Sequence, residues 1–199
     1  MRKMEGTSDQ TEKERFSRAI EGDRDAFWAL MEPYGGLIYS VAYGIMKDPE
    51  QARDVLHEVY IKAFRSLSNL RNPRLLPSWL HSLTRNLCYD LMRKSSRAAS
   101  KRGDVYRSRP RVVPIHEVLI REEELKILEK AIESLPEPFR LIVGMKYMND
   151  LRYREIAAIL DISMGAVKSR LFEARKLLAA RMAGLKKASQ AASEGGNRK

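Results

Sequence analysis

The stretch from Tyr153 to Met182, YREIAAILDISMGAVKSRLFEARKLLAARM, constrains this chain more than any other. Ile156, Ala157 and Leu160 recur at helical spacing, and the pattern then breaks at Asp161-Ile162-Ser163. Ser163 is suited to cap a second helix, because its hydroxyl can accept from an otherwise unpaired N–H of the next turn. That second helix places Val167, Leu171, Ala174 and Leu178 on one stripe. Gly165, Ser169, Phe172, Glu173 and Lys176 lie opposite, flanked by Lys168, Arg170 and Arg175. Two short helices joined by a tight turn, the second with a donor-rich outer face, predict a helix-turn-helix shaped for a DNA major groove. A solvated charged helix in an ordinary bundle would carry the same periodicity.

The rest of the composition agrees with a polyanionic partner. The 199 residues carry a formal net charge of +11; a surplus of this size favours nucleic acid, although it can also serve solubility alone. Cys88 is the sole cysteine, so no internal disulfide can form, and its apolar helical surroundings predict a small core residue. Three scattered histidines offer no zinc spacing. The N-terminus has no apolar stretch of a signal peptide, and no run approaches the length of a membrane span. A soluble cytoplasmic protein is expected.

Helical periodicity organises the chain into two parts. Residues 1–14 are polar and are expected to be disordered. From Phe16 to Lys94 helices follow one another, with Gly22-Asp23 ending the first, Asp25 able to cap the next, and Pro33 to Gly36 interrupting the run. Asp48-Pro49 reads as an N-cap followed by proline at the first helical position. Ser68 to Pro73 reads as a loop, and a helix then runs from about Pro77 to Lys94. From Ser95 the chain turns to Ser, Ala, Arg and Pro, so residues 95–120 are expected to form a basic flexible linker. Helices resume with Leu125, Leu128, Ile132 and Leu135, then Phe139, Leu141, Ile142 and Met145. A disordered tail is expected over 184–199. The fold expectation is all-α, with domains over 15–94 and 121–183.

Two surfaces of the first part invite a functional reading. On the helix around Ala52 to Phe64, the residues Ala52, Leu56, Val59, Tyr60 and Ala63 form a buried stripe. Asp54, His57, Glu58 and Ile61 fall together outside it. A mixed acidic and apolar patch on a basic protein suits docking to a basic protein surface, or is incidental. A catalytic reading of Asp54, His57 and Glu58 is weak, because one exposed helical face supplies neither pocket nor nucleophile. In LRNPRLLPSWLHSLTRNLCYDLMRK, basic and amide groups interleave with Trp79, a mixture that suits single-stranded nucleic acid. Trp79 on an apolar stripe also suits a core position, and Ser68 to Pro73 a plain connector.

Together these segments resemble the sigma-70 family, specifically its small two-domain ECF (extracytoplasmic function) group. ARDVLHEVYIKAF is similar to the family's core-polymerase-binding helix, with Asp54 and Glu58 matching, His57 in place of the usual Gln and Tyr60 in place of Phe. LPSWLHSLTRNLCYDLMRK resembles the family's W-L-x-x-I-A-x-N-x-x-x-D-x-x-R stretch, through Trp79, Leu80, Asn86, Asp90 and Arg93. The C-terminal pattern matches at Leu135, Pro136, Arg140, Glu155, Ile156, Ala157, Gly165, Val167, Ser169, Arg170, Ala174 and Arg175. Ala166 departs from the usual Thr, Glu173 from a frequent basic residue, and Leu70-Arg71-Asn72 from Phe-x-Gly.

The resemblance implies a monomeric, non-enzymatic, cofactor-free subunit that directs core RNA polymerase to promoter DNA. Asp54, His57, Glu58 and Ile61 would bind core polymerase. Asn69, Arg71, Asn72, Trp79, Asn86 and Arg93 would contact the melted −10 element. Arg140, Arg154, Lys168, Ser169, Arg170, Phe172, Glu173 and Arg175 would contact the duplex −35 element. An anti-sigma factor is a further implied partner. The competing expectations are a stand-alone helix-turn-helix regulator, which would need a dimer seam, and a helical RNA-binding or scaffold protein.

Overall fold

The computed structural model describes residues 8–102 and 119–195, and among these every regular element is helical. Helix α1 (Ser8–Ile20) ends where Gly22 turns to φ 94°, a conformation open to glycine at no steric cost. Asp23, rather than Asp25, caps α2 (Arg24–Met31), its carboxylate accepting from the Ala26 N–H at 3.0 Å. The nearer acid wins because only it precedes the first helical turn; Asp25 lies inside it. A 3-10 turn at Glu32–Tyr34, with Pro33 inside it, leads into α3 (Gly35–Met46). Asp48 then caps α4 (Pro49–Ser66) as expected, accepting from the Glu50 and Gln51 N–H groups at 2.9 and 3.0 Å. Two 3-10 turns, Leu67–Asn69 and Pro73–Leu75, carry the chain into α5 (Leu76–Arg102).

The second part comprises α6 (Leu119–Glu133), α7 (Glu137–Val143) with a π-type turn at Gly144–Met148, α8 (Tyr153–Leu160) and α9 (Met164–Gly195). Four helix ends run past their expected limits, the start of α6 at Leu119 by two residues. α1 begins at Ser8, inside the stretch expected to be disordered, α5 continues to Arg102, inside the expected linker, and α9 reaches Gly195, inside the expected tail. Helix propagation needs no core once a packed turn has nucleated it, and Ala, Arg and Lys propagate well. The remainder of the expected linker, residues 103–118, lies outside the described residues, as do 1–7 and 196–199.

The core of the first domain is built from Phe27, Leu30 and Met31 of α2, Ile38, Val41 and Ala42 of α3, and Ala52, Val55, Val59 and Ala63 of α4, closed by Leu76, Leu80 and Cys88 of α5. The free Cys88 thiol is fully buried, and burial pushes its pKa to about 12. In the second domain, Ile142, Met145, Ile156, Val167 and Leu171 are buried. These join the core of the first domain in one continuous apolar cluster, because α7 packs on α3 and α8 on α5. Expected to be joined by a tether, the two domains also share a packed seam.

Candidate nucleic-acid and polymerase interfaces

The helix-turn-helix forms as its sequence dictates. Glu155 reaches back to accept from the Arg152 N–H at 2.6 Å, which fixes the start of α8. Asp161 ends that helix in the left-handed region, at φ 52°. The Ser163 hydroxyl accepts from the Ala166 N–H at 3.1 Å and starts α9. Val167, Leu171 and Ala174 are buried and Leu178 half-buried. Gly165, Lys168, Ser169, Arg175 and Lys176 are exposed, as is Arg154 on α8, and Phe172 is 60% exposed. Arg170 and Glu173 are half-buried at the edges of the same face. An aromatic left this open on a helix otherwise lined with donors offers an apolar contact amid hydrogen-bonding groups, which matches how base edges are read.

Arg140 corrects one expectation. It is only 5% exposed, and its guanidinium donates to the carbonyls of Gly44, Leu135 and Glu133, the last at 3.2 Å. With its donors committed inside the seam, it does not face a phosphate in this arrangement. Burial lowers its pKa from the ordinary guanidinium value, and the charges of Glu137 and Glu133 oppose that shift.

On the first domain, Asp54, His57, Glu58 and Ile61 project together from α4, all exposed. Glu58 lies 3.9 Å from Lys62, a loose surface pair that costs little to break. The patch is larger than periodicity on α4 alone indicates. Trp28 of α2, 55% exposed, sets its ring edge-on to Tyr60 with centroids 5.4 Å apart, and exposed Phe64 packs edge-on to Phe27 at 5.1 Å. Trp28 was legible as an off-stripe aromatic beside Phe27, but only the fold shows that α2 brings it to α4. Isolated exposed apolar residues are ordinary; several contiguous ones beside carboxylates are suited to docking a protein.

The residues expected at melted DNA divide. Asn69, Arg71 and Asn72 are exposed on the loop before α5, with the Asn72 side chain accepting from the Arg74 N–H at 3.1 Å. Trp79 is half-buried against the core, so its ring is largely a packing group. Asn86 and Arg93 are exposed and line an open hollow of about 560 Å³ with Tyr89 and Asp90. Arg93 pairs with Asp90, and Arg85 stands over the Tyr89 ring, 5.5 Å from its centroid. Cations, an amide and an aromatic around an open hollow suit an unpaired base and its phosphate. Among the described residues, no group of three or more His, Cys, Asp or Glu could hold a metal ion, and no helix is long and apolar enough to cross a membrane.

Comparison with known proteins assigns both halves. Residues 30–98 match the sigma-70 region 2 model and residues 125–178 the sigma-70 region 4 model. The ECF RNA polymerase sigma-E factor of Escherichia coli (strain K12) is 31% identical over 177 residues, covering 84% of this chain and 92% of that protein. The ECF RNA polymerase sigma factor SigW of Bacillus subtilis (strain 168) is 27% identical over 176 residues, covering 83% and 94%. Among solved structures, CnrH in complex with the cytosolic domain of CnrY has a similar fold, with a TM-score of 0.62 at 20% identity over 87% of this chain and 98% of that one. The sigma factor RpoE, in complex with the anti-sigma factor NepR from Bartonella quintana, has a TM-score of 0.61 at 22% identity over 78% and 96%.

Proposed function

The chain belongs to the sigma-70 family, in its ECF group, and from that premise we propose how its surfaces divide the work of starting transcription. The carrying observation is that the two family regions occur in order, one with an open helix-turn-helix face and the other with an acidic, apolar face. Asp54, His57, Glu58 and Ile61 dock on core RNA polymerase. Trp28 and Phe64 extend the apolar part of that dock, where buried aromatic area supplies most of the affinity and the carboxylates select a basic partner. The chemistry of RNA synthesis is the polymerase's; this chain supplies binding and strand separation, in the cytoplasm.

The second domain reads the −35 element as duplex. Lys168, Ser169, Phe172 and Glu173 face base edges, and Arg154, Arg170 and Arg175 lie nearer phosphates. A carboxylate toward the groove repels phosphate but accepts from a cytosine amino group, so Glu173 narrows the sequence choice. Asn69, Arg71, Asn72, Asn86 and Arg93 hold the melted −10 strand, with Trp79 as packing support. Taking a base out of its stack costs a few kcal/mol, which its contacts here must repay. An anti-sigma factor is inferred as a regulator, on the strength of relatives solved with one.

The decisive experiment is transcription in vitro with purified core polymerase on genomic DNA, with start sites mapped. New starts sharing a two-part upstream motif are expected. Binding of duplex DNA by the free protein as a dimer, with no new starts, would instead support a stand-alone regulator.

A further inference from the structure

We propose that Tyr89 is the stacking platform for one unpaired base of the melted strand, and that Arg85 is the positioning residue that holds its ring. This rests on the sigma-factor reading above and adds two residues to it. Neither is fixed by the motif. In W-L-x-x-I-A-x-N-x-x-x-D-x-x-R, Arg85 stands just before the Asn and Tyr89 just before the Asp, both at unspecified positions. The platform is therefore this chain's own. A base drawn out of a duplex needs a flat group to replace the neighbour it has lost. Trp79, the aromatic that the sequence offers for that task, is half-buried against the core. Tyr89 is the aromatic that borders the hollow, beside Asn86, Asp90 and Arg93.

Helical spacing makes the arrangement. Arg85, Tyr89 and Arg93 follow one another at four-residue steps, so α5 stacks them along one face, with Asn86 and Asp90 in the adjoining row. The Tyr89 ring is half-buried and held from several sides. It packs against the core, Arg85 lies over it at 5.5 Å from the centroid, and its hydroxyl donates to Glu137 at 2.7 Å. A ring already fixed loses little freedom when a base lands on it. Arg85 is exposed and does not border the hollow, so it backs the ring without filling the space beside it. Asp90 would repel a phosphate inside the hollow, but Arg93 pairs with it, and the Arg93 side chain, 68% exposed, keeps donors for a phosphate at the rim. The base then lies inward and its phosphate outward. Stacking accepts any base, so Tyr89 contributes affinity, while the Asn86 amide, which both donates and accepts, contributes choice.

The test uses the full-length protein bound to core polymerase and a fork-shaped promoter template whose −10 segment is unpaired, with affinity read by fluorescence anisotropy. An abasic nucleotide is placed at each position of that segment in turn. One position is expected to weaken wild-type binding by roughly five- to hundredfold, the range for losing one base–aromatic stack. Tyr89→Ala should weaken binding of the intact strand by the same factor and be indifferent to the abasic nucleotide at that position, since one contact can be lost only once. Tyr89→Phe keeps the ring face and should retain most of the affinity. Arg85→Ala should lose part of it on the intact strand and nothing further at the abasic position. It should leave the slope of affinity against salt unchanged, which loss of a phosphate contact would lower by about one. Tyr89→Ala binding the intact strand like wild type, or losing equally on every template, overturns the platform. A changed salt slope in Arg85→Ala makes it a phosphate contact and overturns its positioning role. A wild-type complex that binds no promoter would overturn the sigma-factor reading, whereas wild-type binding without these losses overturns the platform alone.

Discussion

Single side chains divide here between those left open to a partner and those committed within the fold. Glu58 is exposed and only loosely paired, at 3.9 Å from Lys62, so it is free for a partner. Glu58→Lys should weaken core-polymerase binding by roughly tenfold or more, measured by pull-down or fluorescence anisotropy, because it sets like charge against a basic dock; unchanged affinity would remove Glu58 from the interface. Glu173→Arg should change which −35 sequence is preferred while leaving overall affinity similar, measured by promoter-library selection. The same motif from both proteins would mean that Glu173 touches no base. Arg140 shows the limit of reading residues singly. Its place in the family pattern and its charge suggested a phosphate contact, and only its carbonyl partners, one of them 96 residues away, reveal a bracing role.

Helices carry most of what was legible. The stripes of α4 and α9, the Asp48 and Ser163 caps and the turn at Asp161 follow from local spacing and local hydrogen bonding, which a sequence displays directly. The ends of α5 and α9 were not legible. Propagation past the last packed turn depends on a stable helix already present, and a single glycine such as Gly184 costs only about 1 kcal/mol. The meeting of Trp28 with Tyr60 is likewise a matter of how α2 crosses α4, which periodicity within either helix does not encode. Capping gives a prediction at this scale. Asp48→Ala leaves two N–H groups of α4 without their acceptor. It should cost about 1 kcal/mol and lower the midpoint of thermal unfolding by roughly 2–4 °C, as read by circular dichroism; no shift would deny the cap its role.

At the scale of the molecule, stability should depend on pH through His81. Its Nε2 is buried with no hydrogen-bond partner among the described residues, and it is 8% exposed. Burial, helped by Arg85 and opposed by Glu137, lowers its pKa from the ordinary 6.5. Below about 6.5 the unfolded chain therefore binds a proton that the folded chain refuses. The contribution is complete above that pH, falls away as pH drops toward the lowered folded value, and levels off beneath it. His81→Leu should flatten this acid limb in melting curves taken between about pH 7 and 5; an unchanged slope would assign the limb to other groups. Gly44 and Arg140 also bear on how such a chain changes over generations. A side chain gained at 44 meets Leu141 across the joint, so the two halves are not interchangeable parts. A recombinant that took its second domain from a relative would inherit a mismatched seam at Gly44 and Leu141, and should be less stable even where each half folded correctly.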